Sequence, residues 1–410
     1  MKRILYFALL ITGNVCAQTY DTNNVIVQTF AGSGFSGWVD GVGTQTMFSS
    51  PQSVVADSQG ILFVLDLGNQ RIRKITPDGT VSTFVGGGNG TLPGYGTNVS
   101  LPSFSPGSMA IDHSNTLWIA AYWCCPPFLL RIGSDAYVTQ LEPTSGGTFK
   151  GVCTDSANNV YVTDSYGQKI YRYRTNGVWE VFAGSGNQGS QDGNGIFTSF
   201  NYPGALAADL ADNIYVWDSL NYLIRRINPN RDVTTIAGKN GVSSPVDGSG
   251  TNASFDSISG ICVDGSGNLI LACGSSIRKM TASTNVLTMA GSFTGMGYNN
   301  GIGSLAAFRN AVGVCVAQGM IFVADTDNQR IRNLTFSPTS QPVSGANLDL
   351  KTYPGLQITG VVGRTYQIES SLDTTNWKTE TTILLTSSPY LWIDPNSLGQ
   401  KKFYRAFLLP

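Results

Sequence analysis

One cadence recurs along the 410-residue chain and constrains it more than any other feature. An apolar strand runs into Asp57, Asp112, Asp155, Asp209 and Asp264, and in a degenerate last copy into Ala317, at separations of 55, 43, 54, 55 and 53 residues. Around each strand recur a glycine-rich loop with "DG", a second apolar strand, a segment such as "NQRIRK" and an "AG" pair. A period of this length with several short strands per copy is what one blade of a β-propeller writes into a chain.

The second strands are Leu62-Phe63-Val64, Leu117-Trp118-Ile119, Val160-Tyr161-Val162, Ile214-Tyr215-Val216, Leu269-Ile270-Leu271 and Ile321-Phe322-Val323, rich in residues that suit a pleated, buried surface. Third strands carry an apolar residue before basic ones, as in Ile72-Arg73-Lys74, Ile224-Arg225-Arg226, Ile277-Arg278-Lys279 and Ile331-Arg332. A fourth segment of the form V-x-T-x-A-G starts at Val81, Val233 and Val286, with a shorter match at Val181-Phe182-Ala183-Gly184. None follows Leu334, whereas a spare copy lies upstream at Val27-Gln28-Thr29-Phe30-Ala31-Gly32. The chain is therefore predicted to be all-β, a six-bladed propeller of four-stranded antiparallel blades whose N-terminal strand completes the last blade and removes an open sheet edge.

Over residues 25 to about 335 these segments resemble the NHL-repeat family of six-bladed propellers, in the secreted bacterial version marked by "DG-x-G … F-x-x-P", "D-x-x-N-x-x-I-R" and "V-T-T-x-A-G". The resemblance lies in six registered copies, and it implies a fold without fixing an activity.

Residues 1–17 read as a signal peptide: Lys2 and Arg3, an apolar run from Ile4 to Ile11, then Val15-Cys16-Ala17. A lipoprotein reading with Cys16 is disfavoured by Asn14 and Val15 before it. The expected location is secreted, periplasmic or at the cell surface. No other stretch is long and apolar enough to span a membrane. Charged residues are 12% of the chain and the net charge is −1, which gives no nucleic-acid footprint. Residues 25–336 form the propeller, 337–346 a linker by composition, and 347–410 a small C-terminal β-sandwich-like domain, with alternating runs such as Tyr366 with Ile368 and a Phe403-Tyr404-Arg405-Ala406 ending. That ending loosely resembles C-terminal modules of exported bacterial proteins, which implies attachment, sorting or ligand contact.

Cys153, Cys262 and Cys315 hold one place in their first strands and read as inert core thiols. Cys124-Cys125 is either a vicinal disulfide or two thiols. No spacing suggests zinc, no loop has the alternating acidic pattern of a calcium site, and no metal or cofactor is expected.

In a four-stranded blade the loop leading into the first strand and the turn between second and third strands emerge on one face. That face collects Asp40-Gly41, Asp192-Gly193, Asp247-Gly248 and Asn300-Gly301 with the turns beginning Asp66, Asp164, Asp218 and Asp325. These four aspartates are candidate binding residues. The competing reading makes them turn caps that accept backbone amides and pair with the arginine of the next strand. The second-blade turn from Ala121 to Leu130 is longer than its counterparts and adds Tyr122, Trp123 and Phe128, an aromatic patch that either stacks on a ligand or folds over blade three, whose leading loop is missing. Trp217 is a further candidate, at the top of the central channel or packed between blades.

Catalysis finds little support. The single histidine, His113, falls in a turn on the opposite face, and only Glu142 and Glu180 occur within the propeller, whereas lactonase-like propellers use a glutamate among their metal ligands. The expected function is a monomeric, non-catalytic binding or scaffold module for a protein or glycan ligand. The alternative is a channel-centred lactonase-like or lyase-like enzyme.

Overall fold

The computed structural model describes residues 25–336 apart from 103–106, 122–126, 143–146 and 294, and in the tail 347–351, 355–359, 364–371, 376–385, 390–393 and 403–408. The chain divides into two compact units, one ending at Phe336 and the other beginning at Ser337.

Six antiparallel sheets make up the first unit. In blade one the inner strand Pro51–Ala56 is followed outward by Leu62–Asp66, Arg71–Ile75 and Thr80–Gly86. The inner strands of blades two to six are Met109–Ile111, Phe149–Thr154, Pro203–Ala208, Gly260–Val263 and Ala311–Ala317. Blade six is completed from the other end of the unit: Val25–Ala31 pairs antiparallel with Arg330–Phe336, in the register Val25 to Phe336 and Val27 to Leu334. The closure expected from the spare N-terminal copy is therefore present.

Five of the sheets hold one more strand than the sequence led us to expect. In each of these blades a glycine of the leading loop and the residue after it fold back as a two-residue strand on the outermost strand of their own blade, Gly41–Val42 onto Val81 and Thr80 in blade one and Gly301–Ile302 onto Val27 and Ile26 in blade six. A short 3-10 turn follows, opened in blade one by Gly43, whose φ of +55° suits glycine. The fifth strand covers the amides and carbonyls that an outer edge strand would leave open. Blade three, which lacks the "DG" loop, is the one sheet with four strands.

Packing follows from the period-2 geometry of the second strands, all of whose residues are buried. Phe63 and Leu65 join the cluster shared with blade two, whereas Leu62 and Val64 join the cluster shared with blade six. Apolar clusters of this kind occupy all six blade interfaces, and Val25 and Val27 contribute to the one between blades five and six. Nearer the axis the blades approach so closely that one inner-strand position holds only small residues: Ser53, Ser108, Gly151, Ala205, Gly260 and Gly313. A Cβ on Gly313 would lie 2.6 Å from Cα of Ser53. Where serine stands there it stitches blades together, Ser53 Oγ accepting from the Met109 amide at 3.1 Å and Ser108 Oγ from the Val152 amide at 2.8 Å.

The second unit holds two three-stranded antiparallel sheets. One contains Asn347–Lys351, Gly355–Thr359 and Tyr390–Ile393, the other Thr365–Ser371, Lys378–Leu384 and Phe403–Leu408. Among the described residues no helix is long and apolar enough to cross a membrane.

Candidate ligand-binding face and channel mouth

The face carrying the leading loops is held together by buried arginines. Arg73, fully buried, reaches the buried Asp66 at 3.1 Å and the half-exposed Asp40 of the leading loop at 2.6 Å. Its two terminal nitrogens also bond the Met47 and Val39 carbonyls at 2.9 and 3.1 Å, and its guanidinium lies 5.2 Å from the centroid of the Phe48 ring. Blade four repeats this with Arg225, Asp218, Asp192 and Phe200, and blade six with Arg332, Asp325, Asn300 and Phe308. In blade five Arg278 keeps Asp247 and Phe255, while Cys273 stands where blades one, three, four and six have aspartate. Arg73, Arg225 and Arg332 thus tie a leading loop to the turn beside it, whereas Arg278 bonds only its leading loop.

The four candidate aspartates are engaged within the protein. Asp66 accepts from the Ser49 amide at 2.7 Å and from Asn69 Nδ2 at 2.7 Å. Burial pushes its carboxyl up to about 6 against those hydrogen bonds and the charge of Arg73. Burial likewise raises Asp218 and Asp325, which hold Asn221 and Asn328 in the same way. Asp164 has no arginine, Tyr171 occupying that place, and takes the Thr148 and Gly167 amides at 2.9 Å each. All four carboxylates are buried, at 0 or 1% exposure, beneath the surface of the face.

The other candidates fall in different places. Tyr122, Trp123 and the Cys124-Cys125 pair lie outside the described residues. Phe128 is 7% exposed and turns into the cluster between blades one and two, opposite Ala121. Trp217 is 3% exposed, meets Phe255 of the next blade edge to face at 5.9 Å, and also contributes to the wall of the channel. His113 is exposed in its turn, its amide bonded to Asn158 Oδ1. Burial raises the thiols of Cys153, Cys262 and Cys315, which favours their unreactive protonated form although they border the channel.

The channel along the axis is a cavity of about 640 Å³ walled by the inner strands of all six blades. The ring of small residues forms its neck. One residue before the neck in each blade stand Gln52, Gly107, Lys150, Gly204, Ser259 and Val312, which together with Ser219 and Asn310 frame the mouth on the loop-bearing face. Among the described residues that line the channel there is one charged side chain, Lys150, and no Asp, Glu or His. Burial lowers the pKa of the Lys150 ammonium. The sequence signal for Lys150 was available, a lone charge at a repeat position otherwise filled by neutral residues, but strand pattern alone does not show that this position faces the mouth.

No protein-family model matches the chain. NHL repeat-containing protein 2 of Homo sapiens is 24% identical over 313 residues, a match covering 64% of this chain and 43% of that protein. Its Bos taurus counterpart is 26% identical over 294 residues, covering 60% and 40%. The matches therefore span less than half the length of these curated relatives. Among solved structures, a Bacteroides thetaiotaomicron protein of unknown function is similar with a TM-score of 0.62 at 20% identity over 76% of each chain. An auxiliary nutrient binding protein of that organism gives 0.59 at 18% over 77% of each. A streptogramin B lyase gives 0.52 at 11%, over 77% of this chain and 98% of that one. Identities this low carry the fold alone. With six closed blades and a registered repeat of aspartate and buried arginine, this chain is a six-bladed β-propeller with weak homology to NHL repeat-containing protein 2.

Proposed function

We propose that the protein is an exported, non-catalytic binding module that takes a glycan or protein ligand at the channel mouth on its loop-bearing face. One contrast carries the reading. The neck position accepts only small residues in all six blades because packing demands it, whereas the adjacent mouth position holds Gln52, Gly107, Lys150, Gly204, Ser259 and Val312. Gly107 is held to glycine by the carbonyl of Ala120, but Gln52, Lys150, Ser259 and Val312 differ from blade to blade while the backbone repeats, and a cavity of about 640 Å³ opens beside them, within the range of small-molecule sites. The description of one structural neighbour as an auxiliary nutrient binding protein accords with such use of the fold. Export accords with the charged, apolar and small-residue sequence of residues 1–17. The enzyme alternative gains nothing from the described channel wall, which offers no carboxylate or imidazole for acid-base work.

The test is binding of the full chain to arrayed glycans and to proteins of the source culture, with recovery of the bound species checked by mass spectrometry. Saturable binding, return of the ligand unchanged, and loss of binding in Ser259→Trp, which plugs the mouth from an exposed position, are the expected results. Turnover of the ligand, or wild-type binding by the plugged variant, contradicts the proposal.

A further inference from the structure

The mouth is not uniform, and the wall between blades three and four carries a group found nowhere else around it. Lys150 Nζ lies 4.4 Å from the centroid of the Tyr202 ring, and Tyr202 meets Tyr166 edge to face at 5.2 Å and 88°. Tyr166 is 69% exposed. Among the described residues no carboxylate pairs with Lys150. The stretches 103–106, 122–126 and 143–146 contain no charged residue in their sequence. A half-buried ammonium with no acid partner retains its capacity to hold an anion.

Tyr202 adds a second, independent sign. Its φ is +62°, in the left-handed region, which strains a bulky side chain. Blades one and six place Ser50 and Asn310 at this position, with φ of +50° and +62°. The turn itself asks only for an amide: Ser50 N–H donates to Gln329 Oε1 and Tyr202 N–H to Gln168 Oε1, both at 2.6 Å. A serine or asparagine satisfies that geometry in blades one and six, so the aromatic ring is particular to blade four. Blade three also lacks the fifth strand that its neighbours carry.

An aromatic surface accepts the apolar C–H face of a sugar ring, Lys150 accepts a carboxylate, and Gln52, Ser219, Ser259 and Asn310 offer hydroxyl and amide groups around the rest of the mouth. A saccharide ring bearing both hydroxyls and a carboxylate uses all three. The geometry points to a subsite for a uronic acid residue of an acidic oligosaccharide, with its carboxylate on Lys150 and its ring against Tyr166 and Tyr202. This assignment rests on the mouth being the binding site.

Calorimetry with a galacturonic acid trimer and with the same trimer carboxyl-reduced to its neutral form tests it. Wild type is expected to bind the acidic trimer about tenfold or more tightly than the neutral one, as for one charge-assisted contact. Lys150→Met is expected to erase that preference, and Tyr166→Ala to weaken both trimers; both side chains are at least partly exposed, and circular dichroism and Tm check that each variant folds. Equal affinity for the two trimers, a preference that survives Lys150→Met, or no binding of the acidic trimer overturns the subsite. Where Ser259→Trp still blocks a protein or neutral glycan while the acidic trimer is ignored, the uronate assignment fails and the binding module stands. Capture of a glutamate-rich peptide through Lys150 in place of the trimer likewise overturns the saccharide assignment.

Discussion

Arg225 shows what a buried guanidinium requires of its surroundings. It is fully buried, pairs with Asp218 at 2.8 Å and Asp192 at 2.7 Å, and lies 5.2 Å from the centre of the Phe200 ring. Removing Asp218 takes away the buried one of its two counterions and leaves only the half-exposed Asp192, so Asp218→Ala is expected to cost about 3 kcal/mol in urea unfolding. Blade two indicates the remedy: Ala121 and Leu130 occupy the same two positions there, both fully buried. Asp218→Ala combined with Arg225→Leu should therefore be distinctly less destabilising than the sum of the single changes; additive costs would show that the pair is not coupled. The sequence allowed two readings of these aspartates. As turn acceptors paired with arginine they were legible, since Asp, Asn and Arg recur at fixed offsets in a repeat. Lys150, Tyr166 and Tyr202 were not legible as a group, because their proximity depends on the turn of blade three and the approach of blade four, which strand periodicity does not encode.

At the scale of strands, Glu180 joins blade three to blade four. From the outer strand Trp179–Ala183 it pairs with Arg172 at 2.6 Å, Arg174 at 2.7 Å and, from the next blade, Arg231 at 3.0 Å. Burial alone would raise its carboxyl, but hydrogen bonds and charge from Arg174 and Arg172 prevail and hold it at about 2, below the ordinary 4.5. The native state thus favours the ionised form. Its contribution is complete above pH 4.5 and is lost as the pH falls toward 2. Glu180→Gln should cost about 1 kcal/mol at pH 7, and the gap from wild type should shrink at pH 3. A gap of equal size at both pH values would remove the ionic explanation. The outer strand holding Glu180 was visible in the sequence, whereas the two-residue fifth strands were not. Gly41–Val42 and its counterparts are too short to show alternation, and they form because the loop must return across the blade edge before entering the next inner strand.

For the whole molecule, the position of the channel, the common face of the leading loops and the neck of small residues all depend on a closed ring. A ring opened at blade six would separate Val25 and Val27 from the cluster they share with blade five and leave Arg330–Phe336 as an exposed edge. Closure was readable in advance from arithmetic alone, because one outer-strand segment was missing at Leu334 and one was in surplus at Val27. The direct measurement is hydrogen–deuterium exchange followed by mass spectrometry. If the ring is closed as described, the peptide spanning Val25–Ala31 exchanges as slowly as the peptide spanning Arg330–Phe336, both opening only with the propeller as a whole. Exchange of Val25–Ala31 within seconds, at the rate of a free chain terminus while Arg330–Phe336 stays protected, would contradict the closure and the channel mouth built on it.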